Sequence, residues 1–485
     1  MNTTRPNVLL LIFDTLRPDF LSPYGGQATT PTLETLAQQG TLFEQAYAVA
    51  PGTPVSHAAI FSGQYPSETG VVGQTDIPRS IPLIASWLRD AGYDTFGIPG
   101  PARMGAEWGY DRGFDQYFET FSDDKPGYTS ADFLRKLLSD SQLRRPLFND
   151  FLRTLRDGPD SMTSFKFDLL LETVETELSP PFLGMMNTTI VHSPYDPPRP
   201  FKENATPELQ RPRWYILEYL LDTVETINRD DVRTDRIYNA QTTDGIARFL
   251  ADPEYLTASE LDVLRAWYRA SIEYLDTQLS SFVTQLEKKG YLDNTILVLT
   301  SDHGEHFGEH GLIAHSHFLY EESLHVPLII TGPGVPSTRR SDLVSLVDLF
   351  DTVCDLTSVS PPDETSGISV FDGSERSAVY SEYGIRHRNP EGHRKYMSEE
   401  QLEAFGVGRK CIRTENYRYE YTSAGNETLY SRPGEREIDD PSEEILTDHR
   451  DKLFQTLGSE FETTHGNDDI SGDIEDNLRK LGYID

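Results

Sequence analysis

A run of apolar residues that ends in an acid, an imidazole and a glycine restricts the possible folds of this chain more than any other feature. Residues 295–299 are β-branched or aliphatic without alternation, which is typical of a strand buried on both faces of a parallel sheet. Asp302 and His303 follow this run, and open α/β sheets place their functional sites at that edge. The pattern predicts an α/β fold. It indicates a metal site, with an ordinary polar loop as the alternative interpretation.

Two further strand candidates end in polar residues of the same kind. Residues 8–13 form an apolar run that ends at Asp14, and residues 182–191 lead into His192. If these strands share the predicted parallel sheet, Asp14 and His192 lie at the same edge as Asp302. Three polar groups at one edge favour a functional site over coincidence.

Arg17 and Asp19 lie in the loop that follows Asp14. Their opposite charges favour a local ion pair that steadies the loop, and we prefer this interpretation to a direct part in catalysis. Because the loop lies at the predicted sheet edge, Arg17 is also a candidate for substrate binding.

A Gly-Thr-Pro turn leads into a helix of small residues. It places the Thr53 hydroxyl near a helix N-terminus, where backbone N–H groups and the helix dipole stabilise an alkoxide or bind an anion. The alternative is that Thr53 is an N-cap residue, and that Ser56 and His57 are ordinary residues of the first turn.

The remaining pattern predicts one large α/β domain and a smaller C-terminal unit. Residues 1–375 alternate between strand and helix patterns, with polar helical insertions at about 120–180 and 200–260. Residues 376–485 contain half-exposed strand patterns, typical of a small antiparallel sheet, and end in an acidic tail. The individual predictions are helices at 30–39, 81–91, 259–289 and 477–481, strands at 41–47, 94–98, 324–330, 409–414 and 417–421, and a strand followed by a helix over 343–354.

Four histidines follow His303 within a short loop, namely His306, His310, His315 and His317. That density is too high for packing alone, although a polar loop can hold two of them without a function. Imidazole groups have a pKa near neutral, which suits proton transfer to a leaving group.

The charge of the chain excludes some classes of partner. Its 43 Lys and Arg residues against 78 Asp and Glu residues give a net charge of −35. Nucleic acids and anionic membrane surfaces bind basic patches, so neither is expected as a partner. A surface this acidic repels itself in dilute buffer, whereas at molar salt the Debye length falls to about 3 Å. We therefore predict a halophilic protein.

Cysteine content and the length of the apolar runs indicate the compartment. The two cysteines, Cys354 and Cys411, cannot form a disulfide framework, which fits a reducing environment. No stretch approaches the roughly 20 apolar residues of a membrane span, and the first apolar run is too short for a signal peptide. We predict a cytoplasmic protein without membrane insertion, and we make no prediction about its oligomeric state.

Several motifs together resemble the sulfatase branch of the alkaline phosphatase superfamily. Residues 7–19 resemble the first metal-binding motif of that family, and residues 301–305 with 308–311 resemble its second. Residues 272–276 and 320–327 are similar to segments that flank these motifs. The resemblance covers nearly the whole chain. It implies a large mixed, mostly parallel sheet flanked by helices, with a small C-terminal α+β subdomain.

The nucleophile motif of the family departs from its usual form in this chain. The family motif is Cys or Ser, any residue, Pro, Ser, Arg, whereas residues 53–57 are Thr-Pro-Val-Ser-His. Sulfatases convert the Cys or Ser to formylglycine, and Thr53 cannot yield that aldehyde, so we expect no formylglycine. His57 occupies the arginine position, and Thr15 replaces the acid that follows Asp14 in the family. In phosphodiesterase and phosphotransferase relatives, threonine acts directly as the nucleophile.

The resemblance implies one divalent metal ion and roles for the other polar residues. Four residues would bind the ion: Asp14, Asp302, His303 and, through its hydroxyl, Thr53. Mn²⁺, Mg²⁺, Ca²⁺ and Zn²⁺ all fit oxygen ligands with one imidazole. His192 and either His315 or His317 would bind substrate or protonate the leaving group. His57 and Arg17 would bind substrate.

The combined pattern predicts a metal-dependent hydrolase that cleaves a sulfate or phosphate-type ester of a small molecule or glycan through a covalent intermediate. Thr53 favours a phosphodiester or phosphonate monoester. One alternative is a phosphoryl transferase in which Thr53 passes the group to an alcohol; relatives that do this at membranes carry transmembrane helices, which this sequence lacks. Another is a non-catalytic binding protein. The joint presence of Asp14, Asp302 and His303 counts against it.

Overall fold

A mixed sheet of eight strands forms the centre of the fold. The computed structural model of the chain describes residues 5–73, 76–100, 104–119, 141–157, 160–209, 228–229, 232–315, 317–386 and 391–464. In this part of the chain the strands are β1 (Asn7–Phe13), β2 (Thr41–Tyr47), β3 (Asp94–Ile98), β4 (Gln116–Tyr117), β5 (Phe182–Thr188), β6 (Asn228–Arg229), β7 (Val232–Arg233), β8 (Thr295–Thr300), β9 (His306–Phe307), β10 (Ile313–Ala314), β11 (His325–Thr331), β12 (Thr338–Ser345), β13 (Val379–Tyr383), β14 (Ile385–Arg386), β15 (Arg409–Arg413), β16 (Tyr417–Thr422), β17 (Glu427–Ser431), β18 (Arg436–Glu437) and β19 (Thr463–Thr464).

The central sheet has the strand order β12-β2-β11-β8-β1-β5-β3-β4. β1 is parallel to both of its neighbours, β5 and β8, while β11 is antiparallel to β8 and β2. The predicted α/β class and the mixed, mostly parallel sheet are therefore confirmed. The three strands that end in the predicted functional residues are adjacent, so their carboxyl ends lie side by side.

The strands at the centre are apolar except at their ends, because helices cover both faces of the sheet. All seven residues of β1 are buried. Leu9 and Leu11 pack into the core on one face, and Val8 and Leu10 into the core on the other. Alternate side chains of a strand point to opposite faces, so the middle of a strand that is covered on both sides is apolar at every position.

The helices are distributed over the two faces and the C-terminal region. In chain order they are α1 (Pro31–Gln39), α2 (Thr53–Ser62), α3 (Pro66–Thr69), α4 (Ile84–Asp90), α5 (Ser141–Asp157), α6 (Thr163–Thr176), α7 (Arg199–Ala205), α8 (Thr234–Asn239), α9 (Thr243–Ala251), α10 (Ala258–Lys288), α11 (Glu321–Leu324), α12 (Asp348–Leu356), α13 (Glu391–Tyr396), α14 (Glu399–Gly406) and α15 (Glu443–Leu457). α1, α6 and α10 pack on one face, and α2, α4 and α12 on the other.

The longest of these helices, α10, leads directly into the strand that carries the predicted metal ligands. Thr257 and Glu260 form a capping box that pairs its first free N–H groups with side-chain oxygens. Its apolar positions repeat every three to four residues and are buried against the sheet. The helix predicted at 259–289 is confirmed.

A second sheet, antiparallel and five-stranded, has the order β13-β15-β16-β17-β18. Ile412 and Tyr419 of this sheet share a core with Leu453 of α15 and with Val49 and Ala50. Because those last two residues precede α2, the small sheet supports the segment that leads to Thr53.

Most predicted elements are confirmed, and the differences lie at their ends. The helix predicted at 81–91 begins at Ile84, and the strand predicted from residue 343 begins at Thr338, where it already pairs with β2. The helix predicted at 477–481 lies outside the described residues, as do residues 120–140 of the first helical insertion and residues 210–227 of the second. The domain division near residue 375 stays a prediction. None of the helices in the described ranges has the length and apolar composition of a membrane-crossing helix.

Candidate active site

The parallel register of β1 and β8 brings two carboxylates together at the sheet edge. Ile12 lies opposite Thr300, and Asp14 and Asp302 each follow two residues later. Both acids are fully buried. Within the described ranges, neither oxygen of Asp14 and only one oxygen of Asp302 has a hydrogen-bond partner. Burying unpaired carboxylate oxygens is costly, so these side chains fit a bound cation.

His303 completes the cluster. Its Nδ1–H donates to the Gly304 carbonyl at 3.0 Å, which leaves the Nε2 lone pair 3.8 Å from Asp14 Oδ1 and 3.5 Å from Asp302 Oδ2. One ligand atom from each of the three residues lies within 4.8 Å of the others. A glycine is required at position 304, because a Cβ there would lie 2.0 Å from the Glu322 carbonyl oxygen. Two carboxylates and one imidazole are a donor set suited to a divalent metal ion.

Thr53 is the first residue of α2 and faces this cluster. The N-cap position belongs to Gly52, and the Thr53 hydroxyl lies 3.1 Å from His303 Nε2 instead of bonding to the helix backbone. The N-cap interpretation of Thr53 is therefore wrong. The Ser56 hydroxyl donates to the Asp302 carbonyl at 2.6 Å and so fastens α2 to the loop after β8. Thr53 thus combines a helix N-terminus with the predicted metal ligands.

His57 lies directly behind Thr53 and is fully buried. Its Nδ1–H donates to the Thr53 carbonyl at 2.9 Å, and its Nε2 accepts from the Asn187 amide at 3.0 Å. Its Nδ1 is also 3.5 Å from Asp302 Oδ2. Burial lowers the pKa of His57, so the ring is neutral in this position. The predicted substrate-binding role of His57 stays a prediction, and both ring nitrogens are engaged with the protein.

His192 and His315 extend the cluster on its other side. Their ring centroids are 5.0 Å apart, and the His315 ring lies 4.4 Å from the His303 ring. His315 Nδ1–H donates to the buried Glu305 carboxylate at 3.2 Å, and His192 Nδ1–H donates to the adjacent Ser193 carbonyl. Burial and the neighbouring His315 lower the pKa of His192 to about 4. His192 is therefore neutral at neutral pH.

His317 has different surroundings from His315. Its Nδ1 lies 3.0 Å from the Tyr383 hydroxyl, and its ring packs against Phe405 and His393. These neighbours belong to the C-terminal part of the chain, whereas His315 touches His303. The structure thus brings only one of the two alternatives into ring contact with the predicted metal ligands.

The ion pair predicted between Arg17 and Asp19 is confirmed. The two side chains meet at 2.8 Å, and Arg17 also reaches Glu309 at 3.1 Å and the Glu305 carbonyl at 2.8 Å. These bonds tie the loop after β1 to the loop after β8. Substrate binding by Arg17 stays a prediction.

Three buried residues at this edge were not predicted as site residues from the sequence, namely Lys166, Asn187 and Glu305. Asn187 and Glu305 carry a usable signal because they lie at or just beyond the ends of β5 and β8, where polar residues mark a site. Lys166 carries no such signal, since it lies inside α6. Its Nζ donates to the Pro99 carbonyl at 3.1 Å and to the Asn187 carbonyl at 2.9 Å.

The electrostatics of the cluster are dominated by crowded carboxylates. Burial, Asp302 and Glu305 all raise the pKa of Asp14, whereas Lys166 opposes them. Burial also acts to raise the pKa of Asp302, but His303 and His57 outweigh it and the pKa is lowered. A cation among these groups would relieve their mutual repulsion, which agrees with the unpaired oxygens.

Comparison with protein families gives two matches. The sequence pattern of the family described as Sulfatase matches residues 6–359. A second pattern, described as N-sulphoglucosamine sulphohydrolase, C-terminal, matches residues 308–418. The first match covers most of the chain and includes every residue of the cluster described above.

Individual proteins of known sequence or structure agree with this result. An arylsulfatase of Clostridium perfringens is 27% identical over 420 residues, which cover 78% of this chain and 80% of that protein. A Delta 4,5-hexuronate-2-O-sulfatase of Bacteroides thetaiotaomicron is 24% identical over 466 residues, 92% of this chain and 87% of that protein. The crystal structure of the phosphonate monoester hydrolase of Agrobacterium radiobacter has the same fold, with a TM-score of 0.70, 20% identity and coverage of 93% of this chain and 95% of that chain.

Proposed function

Because this chain belongs to the sulfatase family of ester hydrolases, we propose that it is a metal-dependent hydrolase of phosphodiesters or phosphonate monoesters with Thr53 as its nucleophile. The observation that carries the proposal is the position of the Thr53 hydroxyl, 3.1 Å from His303 Nε2 and at the N-terminus of α2. Sulfate esters are the second substrate class.

Asp14, Asp302 and His303, together with the Thr53 oxygen, are the proposed ligands of one divalent ion. When bound, the ion would lower the pKa of the Thr53 hydroxyl and neutralise charge on the ester oxygens. The buried carboxylate oxygens of Asp14 and Asp302 that lack a hydrogen-bond partner in the described ranges support this assignment, as does the position of His303 Nε2, which faces both acids and the Thr53 hydroxyl. Mn²⁺, Mg²⁺, Ca²⁺ and Zn²⁺ are all compatible with these donors.

The proposed reaction consists of two displacements at phosphorus, the first by Thr53 and the second by water. The Thr53 hydroxyl releases its proton to solvent, its oxygen attacks phosphorus, a Thr53 O–P bond forms, and the bond from phosphorus to the ester oxygen breaks. The departing alkoxide takes a proton from a histidine. Water next attacks the same phosphorus and gives one proton to that histidine, and the Thr53 oxygen leaves and takes a proton from solvent. The positive end of the α2 dipole at Thr53 would stabilise the anionic group during both steps.

We assign the proton donor to His315 rather than to His317. His315 contacts His303, and its hydrogen bond with Glu305 orients the ring for proton transfer. His192 adjoins His315 but is neutral at neutral pH, which favours substrate hydrogen bonding over proton donation. The bonds of His57 with Thr53 and Asn187 favour a role in orienting Thr53.

The preference for phosphorus esters follows from the chemistry of threonine. A formylglycine hydrate carries a second geminal hydroxyl that expels sulfate, whereas Thr53 carries a methyl group and one hydroxyl. An intermediate on Thr53 must be broken by water attacking phosphorus or sulfur, and that route is familiar for phosphate. The name of the phosphonate monoester hydrolase that shares this fold agrees with this class.

The proposal is tested by measuring the turnover of four nitrophenyl esters, each with and without a chelator. The esters are a sulfate, a phosphate, a phosphodiester and a phosphonate. We expect phosphodiester or phosphonate turnover to exceed sulfate turnover, and the chelator to abolish it. Thr53→Ala should lose most of the activity, while Thr53→Ser, which keeps the hydroxyl, should retain a measurable part. Full activity in folded Thr53→Ala would remove the nucleophile assignment, and a strong preference for sulfate would overturn the substrate class alone. Addition of glycerol identifies the transferase alternative, because a phosphorylated alcohol would then appear as product.

A further inference from the structure

Lys166 is a fully buried lysine at the edge of the sheet that holds the cluster. It lies on α6, and its ammonium group donates to the Pro99 carbonyl, which follows β3, and to the Asn187 carbonyl in β5. The lysine thus bridges the carboxyl ends of two neighbouring strands. The Thr163 hydroxyl bonds to the Thr188 hydroxyl at 3.0 Å and holds the start of α6 at the same place.

The ammonium group is close to Asp14. The Asp14 N–H donates at 3.0 Å to the Thr188 carbonyl, and Asn187, the preceding residue of β5, accepts from Lys166. The charges of Lys166 and Asp14 interact, although no carboxylate in the described ranges forms a direct ion pair with this lysine. A buried ammonium without an adjacent carboxylate is costly, and the negative charge of Asp14 offsets part of that cost.

We propose that Lys166 is a positioning residue whose positive charge balances the buried carboxylates Asp14, Asp302 and Glu305 and favours anionic ester over excess cation in the site. Its bond to the Asn187 carbonyl also fixes the strand end whose amide donates to His57. This inference rests on the metal site proposed above. Lys166 itself is fully buried, and its ammonium group is engaged with two backbone carbonyls.

If Lys166 acts through its charge, its removal should change the affinities for cations and for anions in opposite directions. If it acts only as structural support, its removal should change both in the same direction. Removing a positive charge makes the site more negative, so a divalent cation should bind more tightly and an anion more weakly. Loss of structural support alone should weaken both. Opposite changes in the two affinities are therefore a signature of the charge.

The test compares Lys166→Met and Lys166→Gln with wild type and with Lys410→Met. Lys410 is a matched control because it is also buried and donates to two backbone carbonyls, those of Leu457 and Gly458, in the C-terminal region. Mn²⁺ affinity is measured by calorimetry. Competitive inhibition by inorganic phosphate and by inorganic sulfate then reports anion affinity. Both are measured below pH about 7, the value to which burial lowers the pKa of Lys166.

We expect both Lys166 variants to bind Mn²⁺ about tenfold more tightly and the anions about tenfold more weakly. Lys166→Arg, which keeps the charge, should restore both affinities toward wild type, and Lys410→Met should change neither. Weakening of both ligands, no change in either, or failure of both variants to fold would overturn the inference. Absence of Mn²⁺ binding to wild type would instead refute the proposed metal site.

Discussion

At the scale of single residues, the cluster is defined by carboxylate oxygens that have no hydrogen-bond partner among the described residues. Asp302 Oδ2 is buried and unpaired in the described part of the chain. We predict that Asp302→Asn loses stoichiometric divalent metal, because a neutral amide oxygen is a far weaker ligand. Metal analysis after gel filtration measures this. Asp19→Asn, which alters a half-exposed acid of the neighbouring ion pair, serves as the control and should retain metal.

The choice between two histidines is also decided by single-residue contacts. His315 pairs with Glu305 beside His303, whereas His317 pairs with Tyr383. We predict that His315→Gln lowers kcat about 10²-fold or more for an alkyl ester, whose leaving group needs a proton, and much less for a nitrophenyl ester. His317→Gln is the matched control and should leave this difference between esters unchanged. An equal loss on both esters would argue against proton donation by His315.

At the scale of elements, the short β9–β10 hairpin couples stability to pH. His306 in β9 is buried, with Nε2 hydrogen-bonded to the Ser323 hydroxyl at 2.6 Å, and burial lowers its pKa to about 4. The unfolded chain binds this proton more readily than the folded chain. The contribution of His306 is therefore complete above its ordinary pKa of 6.5 and is lost as the pH falls toward 4.

Acidification from pH 6.5 to pH about 4 should lower the free energy of unfolding by about 3 kcal/mol, at roughly 1.4 kcal/mol per pH unit. His306→Gln should reduce the slope of stability against pH between these two values. Urea unfolding at a series of pH values, with chelator present so that metal release does not contribute, measures the slope. His325→Gln, which alters a half-buried histidine that lies 3.6 Å from Glu321 at the start of β11, is the control. An unchanged slope in His306→Gln would contradict the assignment.

At the scale of the whole molecule, the net charge of −35 is the dominant property. Repulsion among exposed carboxylates destabilises the folded chain when salt is too dilute to screen them. We predict that the unfolding midpoint rises between about 0.1 and 3 M KCl, a range over which the Debye length falls from about 10 Å to under 3 Å. A midpoint that does not change over this range would contradict the prediction of a halophilic protein. Sodium sulfate is unsuitable for this test because it also strengthens apolar burial.

The sequence by itself determined the elements and the residue types at their ends. Buried strands such as β1 and β8 are recognisable because continuous apolar runs are a local property, and Asp14, Asp302 and His303 follow from the same local pattern. The 31-residue helix α10 is equally local, since its apolar spacing lies within one segment.

Only the tertiary structure decided which of these residues act together. The pairing of β1 with β8 joins residues about 290 positions apart, and no local pattern contains that register. The same limit applies to Lys166. In the sequence it is one polar residue in a helical segment, and only the packing of α6 against the ends of β3 and β5 places it near the site. His315 and His317 are two residues apart in one loop and are chemically identical. They differ only in neighbours, His303 for one and Tyr383 for the other, which the folding of distant segments supplies.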